Sequence, residues 1–219
     1  MTFQFSYLWS IMPTLMEAML VNARLAAIIS VIALVLATLL TIVRVQKIAV
    51  VNFAIACFFS YIRGTPLLVQ IFLVFYVLPL VYIDLSPEVA GIVAIALNSC
   101  VFMAETLRAG LQSMDPGQIE ASTSLALPRR IIWRKILLPQ LYRRTLPVLI
   151  NEVTYVVKGT ALLSVITVVE VLRTSQQIAT ASFRPFESIV GAALCFLAIN
   201  AAVIIYARYL ETSAKSMRT

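Results

Sequence analysis

The chain has 219 residues, of which 61% are hydrophobic and 12% charged, with a net charge of +7. Soluble domains carry about 45–50% apolar and about 25% charged residues, so this balance belongs to membrane proteins and leaves no polar half to form an enzyme or a ligand-binding lobe. The basic residues stand between and beside apolar runs instead of along one polar face, which argues for charge-directed membrane topology and against nucleic acid.

Residues 1–17 contain no Lys or Arg and no small-residue cleavage pattern, so no signal peptide is expected and the first long helix inserts as its own signal. A bilayer core of about 30 Å takes about 20 apolar residues as a helix. Residues 25–43 are uncharged and give the first span. Residues 48–62 and 67–83 are apolar and separated by Arg63, Gly64, Thr65 and Pro66; two short helices with a turn are possible, and one long helix kinked at Pro66 is the preferred reading, with Arg63 reaching the cytoplasmic interface or the cytoplasmic segment. The run 89–107, with Glu105 near its end, is the third span. The run 146–169, carrying Glu152 and Lys158, is the fourth, and 188–207 is the last.

Positive charge orients these five spans. Arg108, Arg129, Arg130, Arg134, Lys135, Arg143 and Arg144 crowd the stretch between the third and fourth spans, which is therefore cytoplasmic. Arg44, Lys47, Arg208, Lys215 and Arg218 then also lie inside, while Arg173 and Arg184 are the exceptions. The expected fold is all-α and integral to the membrane, one domain over 1–219, with the N-terminus out and the C-terminus in. Cys57, Cys100 and Cys195 sit in apolar runs without pairing or metal spacing and read as small core residues, and the chain has no histidine.

The cytoplasmic segment 111–144 is too polar to span. Asp115, Pro116 and Gly117 read as a helix start, with Asp as cap and Pro in the first turn. Residues 118–127 continue it, Pro128 breaks it, and 129–138 resume, giving a short surface helix pair rimmed with arginine. From the residues alone, this pair could simply hold anionic lipid.

Within it, Glu120, Ala121, Ser122, Ala126, Ile136, Leu138 and Pro139 resemble the ATPase-coupling loop of ABC importer permeases, whose pattern is Glu-Ala-Ala, three residues, Gly, nine residues, Ile, one residue, Leu-Pro. Ser122 stands where the pattern has Ala, and Ala126 where it has Gly; both are small, as a helix entering a cleft on an ATPase requires. The stretches 61–70, 104–110, 151–152 and 158–166 are similar to the branch of that family that carries polar amino acids, although Gly159 and Ala161 depart from what many relatives carry. The resemblance implies a permease subunit of the bacterial cytoplasmic (inner) membrane, paired with a second, identical or related permease subunit. It also implies two ATPase subunits that hold ATP and Mg, and an extracytoplasmic substrate-binding protein. Gly117, Glu120, Ala121, Ser122, Ala126, Arg129 and Arg130 would then form the coupling surface. This chain has no phosphate-binding Gly-x-x-x-x-Gly-Lys-Ser/Thr loop and no catalytic constellation, and is read as non-catalytic with no cofactor of its own.

Charged and amide side chains inside a membrane are site candidates, because burying them in lipid is costly. Asn98 and Glu105 share a helix face, and either line a polar substrate's path or make structural contacts, Glu105 with Arg108. Asn151, Thr154, Tyr155 and Lys158 form one helical stripe, with Glu152 beside it able to pair with Lys158 or Arg63. These residues and Thr160 are the candidate path; Arg63, Gly64 and Pro66 are the candidate kink. Glu170 is placed near the outer surface, open to solvent or a delivery protein. A secondary transporter or channel without an ATPase, a family member carrying another substrate, and a membrane anchor for a signalling complex are the rival readings.

Overall fold

A computed structural model describes residues 3–216. All regular structure among them is helical. In chain order the elements are α1 (Phe5–Val45), α2 (Ala49–Gly64), α3 (Leu67–Val81), α4 (Pro87–Gln112), α5 (Pro116–Ser124), α6 (Arg129–Ile166), α7 (Val171–Ser182) and α8 (Pro185–Ser216). Four of these, α1, α4, α6 and α8, are long and apolar enough to cross a membrane, and the bent pair α2–α3 is a fifth candidate.

Helix α1 is longer than the uncharged run that announces it. Its 41 residues rise about 60 Å at 1.5 Å each, twice a bilayer core, and pass through Pro13 without a break. The segment expected as an outer tail is thus the first turns of α1. It is fastened to the α7–α8 turn: the Gln4 N–H donates to the Glu187 carboxylate at 3.0 Å, and the Arg184 guanidinium lies 4.9 Å from the centre of the Tyr7 ring.

Three apolar clusters follow one another along α1. Ile11, Leu15 and Ala18 pack with Val171 and Cys195; Leu25 and Ile29 pack with Ile95, Val156 and Leu163; Ala33 and Ala37 pack with Phe59, Val101, Met103 and Leu141. Small residues let these helices approach closely, as membrane packing requires. A Cβ at Gly191 would stand 2.6 Å from Leu15 Cδ1, and one at Gly91 2.5 Å from Leu163 Cδ2. The large apolar side chains Trp9, Leu20, Val31, Val35 and Leu39 point outward from α1, the inverse of a soluble helix and suited to lipid. Cys57 is likewise exposed, contrary to its reading as a core residue, whereas Cys100 and Cys195 are buried.

The 48–83 run is not one kinked helix. Helices α2 and α3 meet at 111° across a two-residue break. Thr65 (φ −121°, ψ 142°) and Pro66 (φ −62°, ψ 141°) are both extended. Proline clashes with a helical residue before it, which drives Thr65 out of the α region, and Pro66 itself continues extended, so the chain turns instead of bending. Gln70 staples the corner. Its amide donates to the Ile62 carbonyl at 2.8 Å and to the Thr65 carbonyl at 3.1 Å, supplying acceptors freed at the end of α2 with a donor that lipid cannot offer.

The second half of the expected surface helix pair is also different. Residues 129–138 are the first turns of α6, which runs without a break to Ile166 through a π-helical stretch at Ile132–Leu137. Of the expected pair, α5 alone is a separate surface helix. After α6, the chain forms the amphipathic helix α7, which the hydropathy pattern does not announce.

Candidate functional site

Two places carry the chemistry singled out in the sequence: a polar cleft between α3, α4 and α6, and the segment from α5 into α6.

The cleft has a volume of about 300 Å³ and is lined by Leu67, Ile95, Asn98, Ser99, Phe102, Glu152 and Tyr155. Helical periodicity brings Asn98 and Phe102 to one face of α4, and Glu152 and Tyr155 to the facing side of α6. Asn98 donates to Gln70 Oε1 at 3.0 Å, so the corner of α2–α3 holds the cleft amide in place. Among the described residues Glu152 forms no salt bridge: neither Lys158 nor Arg63 pairs with it. A half-buried carboxylate left without a cation is a group that can receive one, at a position where burial makes the charge costly to leave alone.

The other path candidates are distributed differently. Asn151 and Lys158 are exposed on α6, and the Lys158 ammonium lies 5.6 Å from the centre of the Tyr155 ring. Gly159 is buried beside the cleft; a Cβ there would stand 3.5 Å from Leu67 Cδ2 and 3.8 Å from Ile95 Cγ2, so a small side chain has room. Glu105 does not reach the cleft. It bridges Arg44 on α1 and Arg108 on its own helix, the latter at 2.8 Å, and ties α1 to α4. Thr160 is fully buried and away from the cleft: its hydroxyl accepts from Asn22 at 2.8 Å and donates to the Val157 carbonyl at 2.7 Å. Arg63 and Gly64 are exposed, and Arg63 forms no ion pair among the described residues, with the cytoplasmic segment or otherwise.

Glu170 is not open to solvent. It is fully buried at the N-cap of α7, where its carboxylate accepts from the backbone N–H groups of Leu172 (3.0 Å) and Arg173 (2.8 Å) and from Asn22 Nδ2 (3.0 Å). Asn22 Oδ1 in turn accepts from Val171 N. One amide on α1 thereby joins the end of α6 to the start of α7. Burial pushes the Glu170 carboxyl above the ordinary carboxylate value despite the hydrogen bonds that favour its charged form.

Helix α5 is built as its sequence prescribes at its start. Asp115 caps it, accepting from Gly117 N at 2.9 Å, and Pro116 takes the first helical position. Its end is set by backbone geometry. Ala126 has φ 51°, in the left-handed region. Ala126 N donates to Thr123 O at 2.9 Å and Leu127 N to Ser122 O at 3.3 Å. This is the Schellman closure, in which glycine is the usual left-handed residue. The glycine position of the loop pattern therefore has a backbone reason, where clearance alone was expected. Ser122 also faces inward: it is 4% exposed, and its hydroxyl donates to the Gln118 carbonyl at 2.6 Å. Gly117, Glu120 and Ala121 remain exposed, as do Arg129 and Arg130 at the start of α6.

Asn22 was not singled out from the sequence, Arg44 served there only as a mark of the inner side, and Gln70 only as the end of the 61–70 stretch. Each is a polar residue within or at the edge of an apolar helix, the signal that drew attention to Asn98 and Glu105; the partners that tie them to other helices, Asn98, Glu105 and Glu170, lie 28 or more positions away and leave no local pattern.

Residues 47–216 match the family model described as the binding-protein-dependent transport system inner membrane component. The chain is 31% identical to a putative glutamine transport system permease protein of Rickettsia typhi, over 90% of this chain and 91% of that one. It is 33% identical to a probable amino-acid ABC transporter permease protein of Vibrio harveyi, over 90% of this chain and 89% of that one. A crystal structure of an amino acid ABC transporter with histidines contains a chain that superposes with a TM-score of 0.87 at 27% identity, covering 97% of this chain and 100% of that chain.

Proposed function

Because the chain belongs to the family of binding-protein-dependent transport system inner membrane components, we propose that it is the permease subunit of an ATP-driven importer that moves a polar amino acid, or a close analogue, across the bacterial cytoplasmic membrane. One observation carries the reading: a single family match, 47–216, takes in both the polar cleft and the exposed capped helix α5.

In this account five spans, α2–α3 counting as one, place the N-terminus outside and α5 in the cytoplasm. The positive-inside rule supports the orientation. Two permease subunits, identical or related, enclose the path, since the exposed polar stripe of α6 needs a partner to cover it. Two ATPase subunits, which hold ATP and Mg, dock on α5 through Glu120, Ala121 and the arginines at the start of α6. An extracytoplasmic binding protein delivers the ligand. Nucleotide-driven movement of α5 passes directly into the membrane, because α5 is joined to α6 by only the four residues 125–128. The cleft contributes Glu152 for an ammonium or cationic group, and Asn98 and Tyr155 for hydrogen bonds.

Purification of the chain with its native partners tests this reading. Co-purification of an ATPase whose turnover rises with liganded binding protein is the expected result. Ligand flux by the chain alone, without an ATPase, would favour the secondary-transporter reading instead.

A further inference from the structure

On the side of α6 away from the cleft lies a second cavity, of about 520 Å³, within the ~300–1,000 Å³ typical of small-molecule sites. Its walls are α1, α4, α6 and α8, including Val31, Leu34, Leu149, Val153 and Val203. The lining is almost wholly apolar; the Tyr142 hydroxyl is engaged with Thr38. All four walls are candidate membrane spans, which sets the groove among lipid-facing helices in the proposed topology.

Charge sits at one end. At 3.6 residues per turn, Arg143 lies about 20° from Ile150 and about 60° from Leu146 around α6, at one edge of the groove's face and one turn nearer the α5 end. It is exposed, and it forms no salt bridge among the described residues. Tyr206, 64% exposed on α8, stands at the same end, where aromatic residues meet lipid headgroups. The polar stripe of Asn151, Tyr155 and Lys158 is about 150° around α6 from the groove by the same periodicity. A permease partner facing that stripe leaves the groove uncovered.

We propose that this groove holds an acyl chain of an anionic phospholipid whose phosphate pairs with Arg143. The site is separate from the transport path and from the ATPase surface. An apolar slot at membrane depth, with an exposed arginine at one edge of its face, selects a lipid by tail and by headgroup charge.

The test uses the whole transporter in lipid nanodiscs containing phosphatidylglycerol or phosphatidylcholine with a photoactivatable acyl chain, the labelled residues being mapped by mass spectrometry. Phosphatidylglycerol should label residues 31–34 and 142–153 about fivefold more than phosphatidylcholine does, the factor expected from one basic residue near the surface. Arg143→Gln should abolish that preference and Arg143→Lys keep it. Should Arg143→Gln fail to assemble, Val31→Trp on the exposed wall carries the test, and should lower groove labelling by both lipids several-fold. Equal labelling by the two lipids in the unaltered protein, or a preference that survives Arg143→Gln, overturns the proposal. So does a disulfide between two permease subunits through Ile150→Cys in a Cys57→Ser background, which would make the groove a subunit interface.

Discussion

Ala126 holds a left-handed backbone angle that costs an L-residue about 1–2 kcal/mol and glycine almost nothing. Ala126→Gly should therefore stabilise the detergent-solubilised protein by about 0.5–1 kcal/mol, after allowing for the freer unfolded chain that glycine brings. Ala126→Val should destabilise it, because branching at Cβ worsens the clash. Thermal unfolding of the two variants checks this, and a lower midpoint for Ala126→Gly contradicts it. At Glu152 the prediction concerns ligand. Loss of a charge-assisted hydrogen bond is worth about 1.5–3 kcal/mol, so Glu152→Gln should raise the apparent KM for uptake roughly tenfold or more while ATP turnover without ligand stays unchanged. Uptake with unaltered KM would remove Glu152 from the path. The sequence made both residues visible, but not with the right neighbours. The motif drew attention to Ala126 for its size, whereas its dihedral angle is set by the turn into α6. Spacing along one helix offered Glu152 a cation at Lys158, whereas the Lys158 side chain lies by the Tyr155 ring.

At the scale of the elements, two of the polar joints between α1 and the rest of the bundle centre on a carboxylate. The first is the Arg44–Glu105–Arg108 bridge; the second is the buried hub of Asn22, Thr160 and Glu170. Glu170 is pushed above the ordinary carboxylate value of 4.5, so the folded state takes up protons that the unfolded chain releases. Its contribution to stability is fully present below 4.5 and is lost as pH rises through the higher folded value. Glu170→Gln should flatten the pH dependence of the unfolding midpoint across that window, and a pH profile unchanged from wild type contradicts the assignment. Close helix packing gives a second expectation. A Cβ at Gly110 would meet Thr145 and, at 2.9 Å, Leu141 Cδ1, so Gly110→Leu should force α4 and α6 apart and cost about 1–3 kcal/mol. Long apolar runs made α1, α4, α6 and α8 legible. The α2–α3 corner was legible only as an irregularity, because Pro66 marks a break while the 111° angle depends on Gln70 and Asn98, which meet only in the folded bundle. Helix α7 escaped notice because its polar and apolar residues average to neither a span nor a loop.

For the whole molecule, charge placement predicts which end of the bundle lies in the cytoplasm, and at one end the structure gathers Arg44 and Arg108 on Glu105, Arg144 on Ser113 and Gln140 on Gln118 of α5. The bundle offers two unlike surfaces on α6: a polar one suited to a transport path shared with a second subunit, and an apolar groove suited to lipid. On the proposed cytoplasmic side, α5 is a separate, exposed helix among the described residues, and its exposed residues Glu120 and Ala121 are the point where energy is proposed to enter. Neither side chain supports the fold, so changing them should leave assembly intact and break transmission. The direct measurement is binding-protein-stimulated ATP turnover and ligand uptake by the complete transporter in liposomes, for wild type, Glu120→Lys and Ala121→Trp. The account predicts that both variants still assemble with the ATPases and that stimulated turnover and uptake fall at least tenfold. Undiminished stimulation and uptake in both variants would contradict it.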